Sequence, residues 1–143
     1  MADTLREMLT EYDDKKHATD AGSAMHKKMR FVSALDGDDD IVKQIKSRPE
    51  LAIFFTENAQ TEVPIAATIN GKFVSRRIDR MVVDDKNKIV HILDYKTDVN
   101  KDAFCSKYII QVREYMSIIG KIYPKYKVNG YILWLHDWTL EKL

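Results

Sequence analysis

The sequence predicts an α/β domain built on a mixed sheet with helices on both faces. Three observations predict it. Apolar runs of strand length lie on either side of Asn70-Gly71 and of Asp84-Asp85-Lys86-Asn87-Lys88, and both linkers are turn signals of hairpin length. A long helical pattern follows, from Ala103 to about Tyr123. Then Tyr131-Ile132-Leu133-Trp134-Leu135 returns as an apolar run typical of a covered strand. A strand reached through a helical crossover pairs in parallel and right-handed by default. An antiparallel meander plus one such strand is a mixed sheet.

The elements follow in order. Residues 3–16 are polar with Leu5, Met8, Leu9 and Tyr12 at helical spacing, which predicts a short amphipathic helix in an extension over 1–19. A second helix opens at Asp20 and runs to about Leu35, with Met25, Met29 and Val32 as its core stripe. His26 stands beside that stripe, flanked by the small residues Gly22 and Ser33. Asp36-Gly37-Asp38-Asp39-Asp40 resembles a calcium loop only superficially. Ser47 stands where the loop's glutamate belongs, so the stretch reads as a turn and N-cap for a helix over Ile41–Lys46. Pro49 opens another short helix ending near Thr56.

Thr61 to Ile69 is a strand in which Pro64 argues for an edge or a bulge. Lys72 to Val83 and Ile89 to Thr97 complete the meander. On the long helix Phe104, Tyr108, Gln111, Tyr115, Ile118 and Ile122 share a face. Gln111 and Tyr115 interrupt that stripe with hydrogen-bonding groups. Asn129-Gly130 punctuates the way to the last strand, and 136–143 receives no assignment.

At 143 residues the chain is one domain, 1–143. A net charge of +1 advertises no bulk basic field, so any phosphate-binding surface is local. The lone Cys105 excludes a disulfide framework and a four-cysteine metal site within the chain. The polar start is unlike a signal peptide, and no apolar run reaches the roughly 18–20 residues of a membrane span. A cytoplasmic protein with no membrane partner is expected.

The chemistry concentrates in the second hairpin. Period-2 geometry puts Val90, Ile92, Asp94 and Lys96 on one face of the third strand, with Asp94 and Lys96 about 7 Å apart. Asp79 shares a face with Met81 and Val83, and pairing through the turn brings it close to Asp94. Arg76 falls on the opposite face, with Val74, Ile78 and Val82, and its guanidinium is expected to reach the sheet edge or an acidic partner. Carboxylates beside a lysine at the end of an apolar hairpin are costly to bury unless something uses them. Hard oxygen ligands suit Mg²⁺ or Mn²⁺, and an ammonium beside the ion could orient water or stabilise developing phosphorane charge. A solvated surface ion pair is the plainer reading of Asp94 and Lys96. Two facing carboxylates without a cation repel, so neutralising either is expected to stabilise the metal-free protein.

With these residues in hand the sequence resembles the PD-(D/E)xK nuclease superfamily, and within it the C-terminal nuclease domain of RecB/AddA-type helicase–nucleases. The resemblance runs in unbroken order over 20–136. It rests on Gly22-x-x-x-His26, Glu62-Val63-Pro64, Ile78-Asp79-Arg80, Asp94-Tyr95-Lys96-Thr97 and Gln111-x-x-x-Tyr115, closing with Tyr123-Pro124 and Leu133-Trp134. It implies a restriction-endonuclease-like fold and a Mg²⁺-dependent, exonuclease-type DNA hydrolase of double-strand-break repair and recombination. His26, Asp79, Asp94 and the Tyr95 carbonyl would hold the metal, with Mn²⁺ an acceptable substitute. Lys96 would position the attacking water, and Glu62, Gln111 and Tyr115 would support the site or the strand. DNA, and a helicase subunit or domain outside this chain, are the implied partners. Arg76 departs from the family, which favours a small residue there. An inactive nuclease-like module binding DNA or a helicase is the rival expectation.

Overall fold

A computed structural model describes residues 28–29, 40–98 and 101–143. The expected helix over 3–16, the calcium-like turn and most of the second helix lie outside these residues. Within them the order is α1 (Asp40–Lys46), a 3-10 helix (Pro49–Phe54), β1 (Gln60–Ile69), β2 (Lys72–Asp84), β3 (Ile89–Lys96), α2 (Lys101–Ile122), β4 (Lys127–Trp134) and β5 (Thr139–Lys142). The five strands form one mixed sheet in the order β1-β2-β3-β4-β5. The meander β1-β2-β3 is antiparallel, and β4 joins β3 in parallel after α2. This is the α/β architecture expected from the sequence, with β5 added antiparallel to β4.

Each face of the sheet has its own core. Under α2, Ile65, Val74, Ile78, Val90, Ile92 and Ile132 meet Val112, Tyr115, Ile118 and Ile119. On the other face Leu93, Tyr95, Leu133 and Leu135 meet Met29, Ile45, Leu51, Phe54 and Phe55. A sheet covered on both faces explains the near-continuous apolar runs of β3 and β4.

Three local features differ from expectation. Asn129-Gly130 does not precede the last strand but lies buried within it, because β4 begins at Lys127. Gly130 permits close helix packing: a Cβ there would sit 2.5 Å from Met116 Sδ and 3.0 Å from Val112 Cγ1. The tail at 139–142 is a strand, reached through Trp138, which is buried at a positive φ of 58°. On α2 the buried stripe includes Val112 and Ile119, whereas Ile122 is half exposed at the helix end. Pro64 sits on β1, the sheet's edge, as a residue without a backbone donor should.

A fourth difference, in the alternation of β2, matters most. β1 and β2 pair without slip from Ile69↔Lys72 to Gln60↔Met81, but the pairing skips Glu62 and Asp79, which face each other in that register. Ile78 and Met81 both lie in the core under α2, while Arg80 between them reaches Phe54 on the other face. Residues three apart cannot share a face of an unbroken pleat, so the alternation slips at Asp79. The backbone shows where: Glu62 takes a φ of 51°, costly for a residue with a Cβ and commonest where a site imposes it. The slip also corrects the placement of Arg76. It lies on the α2 face with Val74 and Ile78, ion-paired to Glu114 at 2.8 Å, and only Val82 turns to the other face. The acidic partner expected for its guanidinium is therefore present.

Candidate functional site at the β2–β3 fork

The pairing of β2 with β3 runs from Asp84↔Ile89 to Arg80↔Leu93 and ends there. Strand β3 continues, paired with β4 as far as Lys96↔Trp134. Residues 94–96 thus pass a fork where β2 has left them, and side chains take over the work of the ladder. Asp79 is the first: its Oδ2 accepts the Tyr95 N–H at 2.7 Å. That places one carboxylate against the backbone of the residue next to the other, Asp94. The N–H and C=O of a strand residue share an edge, so the Tyr95 carbonyl faces the same fork.

Arg80 takes over on the opposite face. Its Nε donates to the Tyr95 hydroxyl at 2.8 Å, Nη1 to the Phe54 carbonyl at 3.0 Å and Nη2 to the Met29 carbonyl at 2.9 Å. The guanidinium lies 4.3 Å from the Phe55 ring centroid. Tyr95 is consequently tied at its amide by Asp79 and at its phenol by Arg80. Burial pushes its phenol pKa up, so the hydroxyl stays protonated. The planar donor fork of arginine suits this buried three-point contact, which a lysine cannot copy.

Lys96 is held between its own strand and α2. Its Nζ lies 2.8 Å from Asp94 Oδ2 and donates to Gln111 Oε1 at 2.8 Å. Asp79, Asp94 and Lys96 retain 2%, 1% and 7% of their exposure. The solvated ion pair that the bare sequence permitted is therefore ruled out for Asp94 and Lys96. A buried pair is costly to form and costlier to break from one side.

The remaining expected residues divide. Gln111 joins the site through Lys96. Tyr115, one turn further along α2, is fully buried in the core under the helix. Glu62 pairs with Arg77 at 3.0 Å, so its carboxylate braces the strand edge beside the slip. His26 lies outside the described residues, as does Gly22. Among the described residues no three His, Cys, Asp or Glu side chains group closely enough to hold a metal ion.

Sequence reasoning passed over Arg80 and Tyr108. Arg80 was visible only as the third residue of a motif, since nothing in a strand pattern distinguishes a buried guanidinium from an exposed one. Tyr108 stands three residues before Gln111 on the same helix face, and that spacing was the available signal. No helix among the described residues is long and apolar enough to cross a membrane. Compared as a whole with known proteins, the chain matches no family model and no curated protein.

Proposed function

We propose that this domain is a metal-dependent deoxyribonuclease of the PD-(D/E)xK kind, resembling the nuclease domain of RecB/AddA-type helicase–nucleases. One observation carries the reading: Asp79, Asp94 and Lys96 are buried together where two strands part. Elsewhere a fold avoids that cost. The donors fit a hard divalent cation, being carboxylate oxygens with the Tyr95 carbonyl on the same edge. Asp79, Asp94 and that carbonyl would hold Mg²⁺ or Mn²⁺, with His26 as the further ligand implied by the resemblance. A bound ion would supply Lewis acidity at the scissile phosphate and a more acidic water.

This chain's own residues then have separate tasks. Asp79 fixes the Tyr95 amide and so the backbone that carries Asp94 and Lys96. Lys96 would turn the N–H that now faces Asp94 toward the attacking water or the charge developing on phosphate when that carboxylate is shared with the metal. Gln111 holds that ammonium from the helix side. Glu62 and Arg77 brace the edge strand. A helicase subunit or domain as partner, and a cytoplasmic setting, belong to the same proposal. The lone Cys105 suits a reducing compartment.

The test is degradation of linear and of closed circular DNA by the purified chain, with Mg²⁺ and with EDTA. Loss of linear DNA only, abolished by EDTA, is expected. Binding of DNA without cleavage in Mg²⁺ or Mn²⁺ would replace this reading with that of an inactive DNA-binding module.

A further inference from the structure

The ammonium of Lys96 has three N–H bonds, and two of them are spoken for by Asp94 and Gln111. On its remaining side lies the ring of Tyr108, with Nζ 4.2 Å from the centroid. That is within reach of a cation–π contact, which gains strength when both groups are desolvated. We infer that Tyr108 is a positioning residue for Lys96, holding its ammonium over the fork through the face of the ring.

Tyr108 is itself fixed from two directions. Its hydroxyl donates to Asp98 Oδ2, which ties the start of α2 to the segment that follows β3. Its ring lies against Trp134, centroids 6.0 Å apart, and Trp134 pairs across from Lys96 in the β3–β4 ladder. Trp134 Nε1 donates to Glu141 Oε2 at 3.1 Å. Strand β5 therefore braces Trp134, Trp134 braces Tyr108, and Tyr108 faces Lys96. Burial, then the Asp98 carboxylate, pushes the Tyr108 pKa up, so the phenol stays neutral and keeps donating.

The arrangement has a consequence for use. Asp94 is the one partner of Lys96 that the proposed metal would also claim. Gln111 and the Tyr108 ring are the contacts that can keep the ammonium in place when that carboxylate is shared. The hydroxyl of Tyr108 serves the ring's orientation, whereas the ring face serves Lys96. Phenylalanine should thus keep most of the effect and an aliphatic residue should lose it.

The experiment compares Tyr108→Phe, Tyr108→Leu and Tyr108→Met with the wild-type chain, each checked for cooperative melting. Two quantities are read: the rate of Lys96 acylation by acetic anhydride, followed by peptide mass spectrometry, and steady-state DNA cleavage. Leucine and methionine should expose Lys96 to faster acylation. They should lower kcat about tenfold with the half-saturating DNA concentration unchanged. Phenylalanine should stay near wild type in both. Methionine fills the space without a π face, so it serves if the leucine variant fails to fold. Unchanged Lys96 acylation in both aliphatic variants would overturn the inference. The cleavage readout rests on the nuclease reading but the acylation readout does not: if wild-type protein cuts no DNA, acylation alone decides the placement of Lys96.

Discussion

The two ends of the β2–β3 hairpin carry almost the same side chains and put them to opposite uses. At the closed end are Asp84, Asp85, Lys86 and Lys88; at the open end are Asp79, Asp94 and Lys96. The closed end keeps its charges at the surface, some met by a neighbour in the turn and some by Tyr126 from the far side of α2. Asp84 accepts from the Asn87 backbone at 3.1 Å and from its side chain at 2.8 Å, contacts that lower the Asp84 pKa. Lys88, itself exposed, lies 5.0 Å from the ring centroid of the half-buried Tyr126. At the open end every partner is distant in sequence or buried, and the strands part around them. The composition of a charged cluster therefore says little. What separates a turn from a candidate site is whether the fold has taken the charges out of water.

The largest contrast expected is between the two lysines in cleavage. Lys96→Ala should lower DNA cleavage by about 10²-fold or more, the scale of removing one electrostatic stabiliser from a site. Lys88→Ala, with the same charge lost from the closed end, should leave the rate near wild type. Steady-state assays of both variants in Mg²⁺ check this. Equal rates in the two would dissolve the distinction drawn here and end the role given to Lys96.

The second contrast is in stability, and here the structure revises the expectation of simple repulsion between Asp79 and Asp94. Each carboxylate has a positive or donating partner: Tyr95 N–H for Asp79, Lys96 Nζ for Asp94. Asp94→Asn should therefore destabilise the metal-free protein, by about 3 kcal/mol, because it leaves a buried ammonium without its counter-charge. For a domain of this size that is a fall in Tm of roughly 10 °C. Asp84→Asn should leave Tm almost unmoved, since water screens the loss. A rise in Tm for Asp94→Asn would restore repulsion as the dominant effect at the fork.

How much of this was legible in the sequence follows from the range of each signal. The meander, the crossover and the parallel β4 were readable because period-2 and helical patterns are local. Strand β5 was not, since a four-residue strand such as Thr139-Leu140-Glu141-Lys142 has no period to detect. Asn129-Gly130 misled for a definite reason: the dipeptide is a turn signal, but here glycine answers the need for α2 to approach β4. The pair Asp94 and Lys96 was legible from alternation alone, and Gln111 from its helix face. Asp79 was placed near Asp94 correctly, yet alternation could not show the slip that puts Ile78 and Met81 on one face. That slip depends on a left-handed Glu62 opposite, a contact seventeen residues away in the chain. Burial, the property that distinguishes the two hairpin ends, is set by α2 and the 3-10 helix together and has no signature within the hairpin.

The smallest expected effect concerns the ladder between the two ends, where His91 stands. It pairs with Val82 and is half-buried, its ring edge-on to Phe54 with centroids 6.2 Å apart. Burial lowers its pKa, opposed by Asp84 from the closed end and assisted by Lys142. The folded protein thus binds a proton at His91 less readily than the unfolded chain does. Its contribution to stability is complete above the unfolded value of about 6.5 and is lost as the pH falls below that value toward the lower folded one. Denaturant melts of wild type and His91→Phe between pH 7.5 and 5.5 (a range of about two units around that value) should therefore diverge. The wild type should weaken on acidification while the phenylalanine variant, which keeps the packing on Phe54, holds steadier. Parallel curves would mean that the ring reaches water as freely as the closed end does, and that burial in the hairpin begins only beyond His91, toward the fork.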